Sequence, residues 1–77
     1  MWRLLERVTE ADDLVKVGDF ASLTEAASRI VELEKIDTGF LHLETPIDTV
    51  FVTDESLLFE NFRYSGNRAY YEIERTR

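Results

Sequence analysis

One segment of the chain has the apolar spacing of a helix, and this segment limits the fold more than any other feature. Its apolar side chains recur three and four positions apart, at Leu23, Ala26, Ala27, Ile30 and Leu33, and so they share one helical face. Ser22 can cap the first turn, and Glu25, three positions later, can reach back to the Ser22 amide to complete a capping box. The sequence therefore predicts one main helix over about residues 23–35.

The other apolar runs are short and rich in β-branched and aromatic residues, which is typical of strands. They lie at residues 14–17, 40–44, 49–53 and 62–74. Residues 2–8 fit a strand or a helix; we favour a strand, because residues 9–13 can then lead to an antiparallel neighbour at 14–17. Near 54–60 a capping residue precedes acidic residues, which fits a short second helix or, equally, the start of the next strand. The chain is thus predicted to be a single α+β domain over residues 1–77, with an antiparallel sheet of four to five strands packed on one main helix.

The C-terminal β-hairpin is predicted from Gly66-Asn67, which we interpret as a two-residue turn between two strands. In that register Ser65 faces Arg68. One face of the hairpin is then apolar and carries Phe62, Tyr64, Ala69, Tyr71 and Ile73. The other face is polar and presents Arg63, Arg68 and Tyr70, with Arg63 next to Tyr70 as a cation–π pair.

The chain is small and acidic, with 77 residues, a formal net charge of −7 and no cysteine. The lack of cysteine excludes disulfides and thiolate metal sites, and it fits the cytoplasmic location that we expect. The N-terminal sequence MWRLLERVTEADD has only short uncharged runs. It therefore predicts neither a signal peptide nor a membrane span.

The hairpin residues Arg63, Arg68 and Tyr70 make nucleic-acid binding a hypothesis to weigh. Residues 61–77 hold four Arg against two Glu, in contrast to the acidic remainder of the chain. Proteins that bind single strands stack bases on several aromatic side chains next to cations. Glu72 and Glu74 share the same predicted face and repel phosphate. Nucleic-acid binding is therefore disfavoured, with these three residues as its candidate site.

A small enzyme or ligand-binding protein is a second alternative, because the chain's one histidine can act as a general base. On a strand, His42 and Glu44 share a face and form the candidate ligand site. No nucleophile motif and no glycine-rich phosphate loop accompanies them. Glu10, Asp12 and Asp13 match no calcium-loop spacing, so we interpret them as a solvated acidic turn. We expect no metal, no cofactor and no catalytic residue.

The leading hypothesis is a small, acidic, non-enzymatic protein-interaction or accessory module. It depends on the lack of a catalytic motif and on the high share of hydrophobic residues, which is 44%. Trp2, Phe51 and Phe59 are the aromatic residues expected in the core or in an interface. Any surplus apolar patch would be covered by a partner protein or by a second copy in a homodimer.

Overall fold

In a computed structural model that describes residues 1–36, 41–45, 49–52 and 58–76, six antiparallel strands form one sheet and one helix packs on it. The strands are β1 (Trp2–Arg7), β2 (Val15–Phe20), β3 (His42–Glu44), β4 (Thr49–Phe51), β5 (Asn61–Ser65) and β6 (Tyr70–Arg75), and the helix is α1 (Leu23–Glu34). The strand order is β2-β1-β6-β5-β3-β4, so the first and last strands are neighbours in the middle of the sheet. The predicted α+β class is confirmed, with six strands in place of four or five.

Helix α1 begins as the capping pattern predicts. The Ser22 hydroxyl accepts a hydrogen bond from the Glu25 amide at 3.1 Å. The Glu25 carboxylate accepts from the Ala21 amide at 3.2 Å, one residue before the predicted Ser22 amide. The Ser22 hydroxyl thus satisfies a backbone donor that the first helical turn leaves unpaired, and the Glu25 carboxylate satisfies the donor of the residue before the cap.

The helix ends at Lys35, which adopts the left-handed conformation with a φ of 54°. The Lys35 amide donates to the Glu32 carbonyl at 3.3 Å, and the Ile36 amide donates to the Val31 carbonyl at 3.1 Å. This pair of hydrogen bonds forms a Schellman motif. The left-handed residue of such a motif is usually glycine, because a Cβ atom makes that backbone conformation unfavourable. Gly39, the glycine that follows α1 in the sequence, lies outside the described residues.

The core lies between α1 and the inner face of the sheet. The helix contacts β1, β2 and β6, which form one half of the sheet. Trp2 and Phe62 pack with ring centroids 5.8 Å apart. Each large apolar side chain buried in this layer contributes about 1.5–3 kcal/mol. The buried cluster includes Trp2, Leu4, Leu23, Ala26, Ile30, Leu43, Phe62, Tyr71 and Ile73.

Strand β1 confirms the preference for a strand in the N-terminal segment, and it pairs with β2 in the expected antiparallel sense. β2 continues through Gly18 and Asp19 to Phe20, three residues beyond the predicted run at 14–17. A register shift opposite Leu4 and Leu5 marks an irregularity in this pairing. Bulges of this kind fit an extra residue into one strand and are common at sheet edges.

The C-terminal hairpin turns at Asn67-Arg68, one residue later than predicted. The Gly66 amide donates to the Ala69 carbonyl at 2.8 Å, and Ser65 faces Tyr70. The predicted register, with Ser65 opposite Arg68, is therefore wrong by two residues. Because an even shift leaves every strand residue on its own face, the apolar face forms as predicted, with Phe62, Ala69, Tyr71 and Ile73 buried and Tyr64 partly buried.

The predicted short helix near 54–60 lies mostly outside the described residues. In the part of the chain that the structure describes, no helix is long and apolar enough to cross a membrane.

Candidate functional site

The outer face of the sheet, turned away from α1, is polar and carries balanced charge. Its side chains alternate along each strand with those of the core. The charged residues on it are the cations Arg3, Arg7, Lys16 and Arg63 and the anions Asp19, Glu44, Glu72 and Glu74. Among the described residues, the four cations and four anions of this face therefore cancel.

The cations of the outer face differ in whether an acid neutralises them. Arg3 lies 3.7 Å from Asp19 and 3.3 Å from Glu74. Lys16 also pairs with Asp19. Among the described residues, neither Arg7 nor Arg63 lies within ion-pair distance of a carboxylate. The unmatched positive charge is therefore concentrated around these two arginines.

Arg7 and Tyr70 form a stacked pair at one end of the outer face. The guanidinium carbon of Arg7 lies 4.8 Å from the centroid of the Tyr70 ring, within cation–π range. The two residues are brought together by the pairing of β1 with β6, in which Arg7 faces Tyr70. The sequence predicted Arg63 as the cation next to Tyr70, but in the observed register Arg63 faces Glu72 and Glu44.

The Tyr70 hydroxyl is held in a defined position. It donates a hydrogen bond to Glu72 at 2.9 Å. Burial and the Glu72 carboxylate raise the pKa of Tyr70, while Arg63 and Arg7 act in the opposite direction. The ring is therefore a neutral phenol at physiological pH, flanked by one cation on β1 and another on β5.

A cleft opens at this end of the sheet, between the segment Arg7–Glu10 and the hairpin segment 65–70. We call it the end cleft. Its volume is about 360 Å³, and polar side chains supply much of its lining, including Thr9, Ser65 and Asn67. Val8 also lines it and is 53% exposed. The end cleft thus combines a stacked arginine, several hydrogen-bonding groups and a small apolar surface.

Arg68 points away from the other two predicted hairpin residues. Its guanidinium forms an ion pair with Glu6 and lies 3.4 Å from the Tyr71 hydroxyl. Glu6 and Tyr71 face each other on β1 and β6, on the helix side of the sheet. The structure therefore places Arg63 and Tyr70 on the outer face and turns the Arg68 side chain to the opposite side.

The turn that forms one wall of the end cleft is fixed by Glu34, the last residue of α1. The Glu34 carboxylate accepts hydrogen bonds from the Arg68 amide at 3.0 Å and from the Ala69 amide at 3.2 Å. It also accepts from the Tyr71 hydroxyl at 2.9 Å. Successive backbone amides that converge on an anion form a nest, and here an acid of the same chain occupies it.

These contacts shift the acid–base properties of both partners. Burial acts to raise the pKa of Glu34, but the hydrogen bonds from the Arg68 amide and the Tyr71 hydroxyl outweigh it and lower that pKa. Burial and the Glu34 carboxylate together raise the pKa of Tyr71 to about 12. Both pKa values move away from neutral pH. The contact therefore stabilises the fold while Glu34 is ionised and Tyr71 is protonated.

Gly66 allows the Glu34 carboxylate to approach the turn. A Cβ atom built at Gly66 would overlap this carboxylate. The described glycines have no positive φ, so the requirement for glycine here is one of space and not of backbone conformation. The sequence signal of Gly66 was therefore real, but it marked a close contact and not the centre of the turn.

His42 and Glu44 lie together on the outer face, on β3, as the strand pattern predicts. Both side chains are exposed, while Leu43 between them is buried. The His42 ring contacts the Phe51 ring edge-on at 4.0 Å between centroids. The residues that line the end cleft do not include either of them.

The acidic segment between β1 and β2 is a hydrogen-bonded turn. The Thr9 hydroxyl donates to the Asp12 carboxylate at 2.9 Å, and the Asp12 amide donates to the Thr9 carbonyl at 3.0 Å. Within the described ranges, no group of three or more His, Cys, Asp or Glu side chains is arranged to hold a metal ion.

Sequence reasoning did not identify Arg7 as part of the site. Arg7 comes next to Tyr70 only through the pairing of β1 with β6. No local sequence pattern links two residues so far apart in the chain. Comparison of the chain with known protein families, with curated proteins and with solved structures finds no significant match.

Proposed function

We propose that this chain is a small, non-enzymatic interaction module that binds a partner protein through the Arg7 end of the outer face. The observation that carries this proposal is the Arg7–Tyr70 contact, at 4.8 Å, next to an open cleft, with no carboxylate of the described ranges within ion-pair distance of Arg7. Arginine and tyrosine are enriched among the residues that dominate binding energy in protein interfaces. A stacked arginine is also partly immobilised, so binding costs it less side-chain entropy.

The balance of charge on the outer face supports a protein partner. An acidic chain repels many acidic surfaces at long range, but exposed charges farther apart than about 8 Å are largely screened at physiological ionic strength. Counted over the described residues, the outer face carries equal numbers of cations and anions. It can therefore meet another polar protein surface without a net electrostatic penalty.

The acid–base properties of the described residues support a non-enzymatic role. The shifted acids and phenols have pKa values displaced away from neutrality, with that of Tyr71 at about 12 and those of Glu34 and Asp19 lowered. A general acid or base works best with a pKa near the operating pH. These residues are therefore suited to holding structure and not to moving protons.

Affinity capture followed by binding measurements tests this function. The wild-type protein is immobilised, captured proteins from the native cell are identified by mass spectrometry, and each is produced separately. Its affinity is then measured by calorimetry for wild type, Arg7→Ala and Tyr70→Ala. Because hot-spot residues cost more than about 2 kcal/mol when truncated, we expect each substitution to weaken binding by about thirtyfold or more.

Arg29→Ala is the matched control, because Arg29 lies on α1 and pairs with Glu32 at 3.0 Å, remote from the outer face. It should bind like wild type. Equal affinity of Arg7→Ala, Tyr70→Ala and wild type would refute the proposed surface. The mass of the purified protein in solution separates a foreign partner from self-association, since a homodimer that dissociates on Arg7→Ala substitution would identify a second copy as the partner.

Single-stranded nucleic acid is the second candidate for the same surface, and the presence of Arg7 next to Tyr70 is the observation that favours it. Against it, Glu72 holds the Tyr70 hydroxyl, and Glu44 and Glu74 share the face. A gel-shift titration with single-stranded DNA and RNA tests it directly. A salt-sensitive shift that needs both Arg7 and Arg63 would favour this candidate over a protein partner.

A further inference from the structure

The end cleft contains one feature that indicates what a partner would place in it. Arg7 lines it, and the guanidinium of Arg7 lies over the Tyr70 ring with no carboxylate of the described residues within ion-pair distance. We infer that the end cleft binds a side-chain carboxylate from an acidic segment of the partner protein. This inference rests on the proposed function and names the chemistry of the segment that is recognised.

The stacking of Arg7 favours a planar acid. A guanidinium that stacks on an aromatic ring contacts it through its flat surface, whereas its N–H donors lie in the plane around its edge. A carboxylate can accept two parallel hydrogen bonds from this edge. Such bidentate, charge-assisted hydrogen bonds are among the strongest between side chains. The aromatic ring holds the arginine in place, so little additional freedom is lost when the acid binds.

The other lining residues fit the rest of an acidic side chain. Ser65 and Asn67 offer a hydroxyl and an amide group that can donate to a carboxylate or to the backbone of an extended peptide. Val8 is 53% exposed and provides an apolar contact for the methylene groups of aspartate or glutamate. At about 360 Å³, the end cleft is large enough for a few side chains and too small for a folded element.

The charges around the end cleft favour a carboxylate over a phosphate. Arg68 also lines the cleft, but its guanidinium is paired with Glu6 on the helix side of the sheet. Glu10 lines the cleft as well and repels any anion within it. A phosphate group carries close to two negative charges at neutral pH and would feel this repulsion more strongly. Arg7, which has no carboxylate partner among the residues that the structure describes, can therefore pair with a single carboxylate.

Nuclear magnetic resonance titration of the full chain tests this inference without a known partner. The probes are N-acetyl tetraglutamate amide, N-acetyl tetraglutamine amide and inorganic phosphate, each at the same ionic strength. With tetraglutamate we expect saturable shifts of the Arg7 side-chain N–H and of the Thr9 and Asn67 amides. The tetraglutamine peptide should leave these signals unchanged, because it has the same length and no charge.

Substitutions of Arg7 and Glu10 change the binding in opposite directions. Arg7→Gln should weaken tetraglutamate binding by about tenfold or more, as expected for loss of a charge-assisted hydrogen bond. Arg7→Lys keeps the positive charge but loses the two parallel N–H donors of the guanidinium. Its affinity for tetraglutamate should lie between those of wild type and Arg7→Gln. Glu10→Gln removes the repulsion and should tighten binding about two- to fivefold. Arg29→Gln, on α1, is the control and should not change the affinity.

Tighter binding of phosphate than of tetraglutamate would overturn the inference, as would unchanged affinity in Arg7→Gln or the absence of saturable shifts. The outcomes also separate this inference from the proposed function. A captured partner that binds wild type and Arg7→Gln equally would leave an interaction module that does not use the end cleft for an acid. Conversely, tetraglutamate binding that depends on Arg7, in a protein that captures no partner, would retain the carboxylate site and refute the proposed function.

Discussion

The Glu34 carboxylate accepts the hydroxyl hydrogen of Tyr71 at 2.9 Å and thereby joins the end of the helix to a central strand of the sheet. The same carboxylate receives the amides of Arg68 and Ala69 in the hairpin turn. One side chain thus fixes the position of α1 and the shape of the turn that forms one wall of the end cleft.

Glu34→Gln should lower the free energy of unfolding by about 1–2 kcal/mol, because it replaces a charge-assisted acceptor by a neutral one. Urea denaturation at pH 7, followed by circular dichroism, measures this loss. Glu32→Gln is the matched control: Glu32 lies on the same helix and pairs only at the surface with Arg29, so its loss should stay within about 0.5 kcal/mol. Equal effects of the two substitutions would contradict the role assigned to Glu34.

Acid should remove the stabilisation that Glu34 provides. Its folded-state pKa is lowered from an ordinary value of 4.5, so its contribution is complete above about pH 4.5 and is lost as the pH falls through the folded-state pKa. The difference in unfolding free energy between wild type and Glu34→Gln should therefore shrink as the pH falls below the ordinary value of 4.5 and through the folded-state pKa. Urea titrations at several pH values measure it, and a difference that does not change with pH would exclude ionised Glu34 as its source.

High pH should remove the stabilisation that Tyr71, the hydrogen-bond partner of Glu34, provides. The pKa of Tyr71 is raised to about 12, so its neutral hydroxyl stabilises the fold fully below its ordinary pKa of 10 and loses this effect as the pH rises through the folded-state value. Ultraviolet titration of the tyrosines should show a phenol that ionises at about pH 12. Tyr71→Phe should lack this step, and Glu34→Gln should move it to lower pH. A wild-type titration in which all three tyrosines ionise near pH 10 would contradict the described contact.

Gly66→Ala should destabilise the protein through Glu34 and not through the backbone. The added methyl group would overlap the carboxylate, and we expect a loss of about 1–2 kcal/mol. A double-mutant cycle with Glu34→Ala tests the cause, because Gly66→Ala should cost much less once the carboxylate is absent. Gly18→Ala is the control, since a Cβ there meets only the Phe20 ring at an ordinary 3.5 Å. Equal costs of Gly66→Ala with and without Glu34 would refute the steric explanation.

Lys35→Gly should stabilise the protein. Lys35 has a φ of 54°, which costs a side-chain-bearing residue about 1 kcal/mol and costs glycine little. Thermal unfolding should show a higher midpoint for Lys35→Gly. Lys35→Ala keeps the Cβ and is the control, so it should not share the gain. If both substitutions gave the same midpoint, loss of the lysine charge and not relief of the left-handed conformation would explain the change.

Local patterns in the sequence were sufficient for the parts of the fold that local physics determines. The capping residue Ser22 and the apolar spacing after it predicted α1, and the alternation in the hairpin predicted which side chains are buried. The register was missed because the turn is held by Glu34, which lies 34 residues before Arg68. Gly66 indicated a turn nearby, but its true role is to leave space for that carboxylate.

The candidate site was only half visible for a similar reason. Tyr70 and Arg63 were assigned to the outer face from the pleat of the strand alone. Arg7 lies on β1, and its position over Tyr70 depends on a pairing between the two ends of the sequence. No periodicity or turn motif encodes which strands become neighbours, so the arginine that completes the stack had to come from the structure.

The central position of β1 and β6 has a consequence for how the chain folds. These strands pair along their length from Trp2 with Arg75 to Arg7 with Tyr70, so the middle of the sheet closes a loop of nearly the entire sequence. The entropy of closing such a loop is lost before its contacts form. During synthesis, the β1–β2 hairpin can form early, but β1 has no central neighbour until β6 has left the ribosome. The long-range contacts of this sheet therefore predict slow folding for a domain of its size, with the exposed side of β1 as the surface most open to mispairing in the meantime.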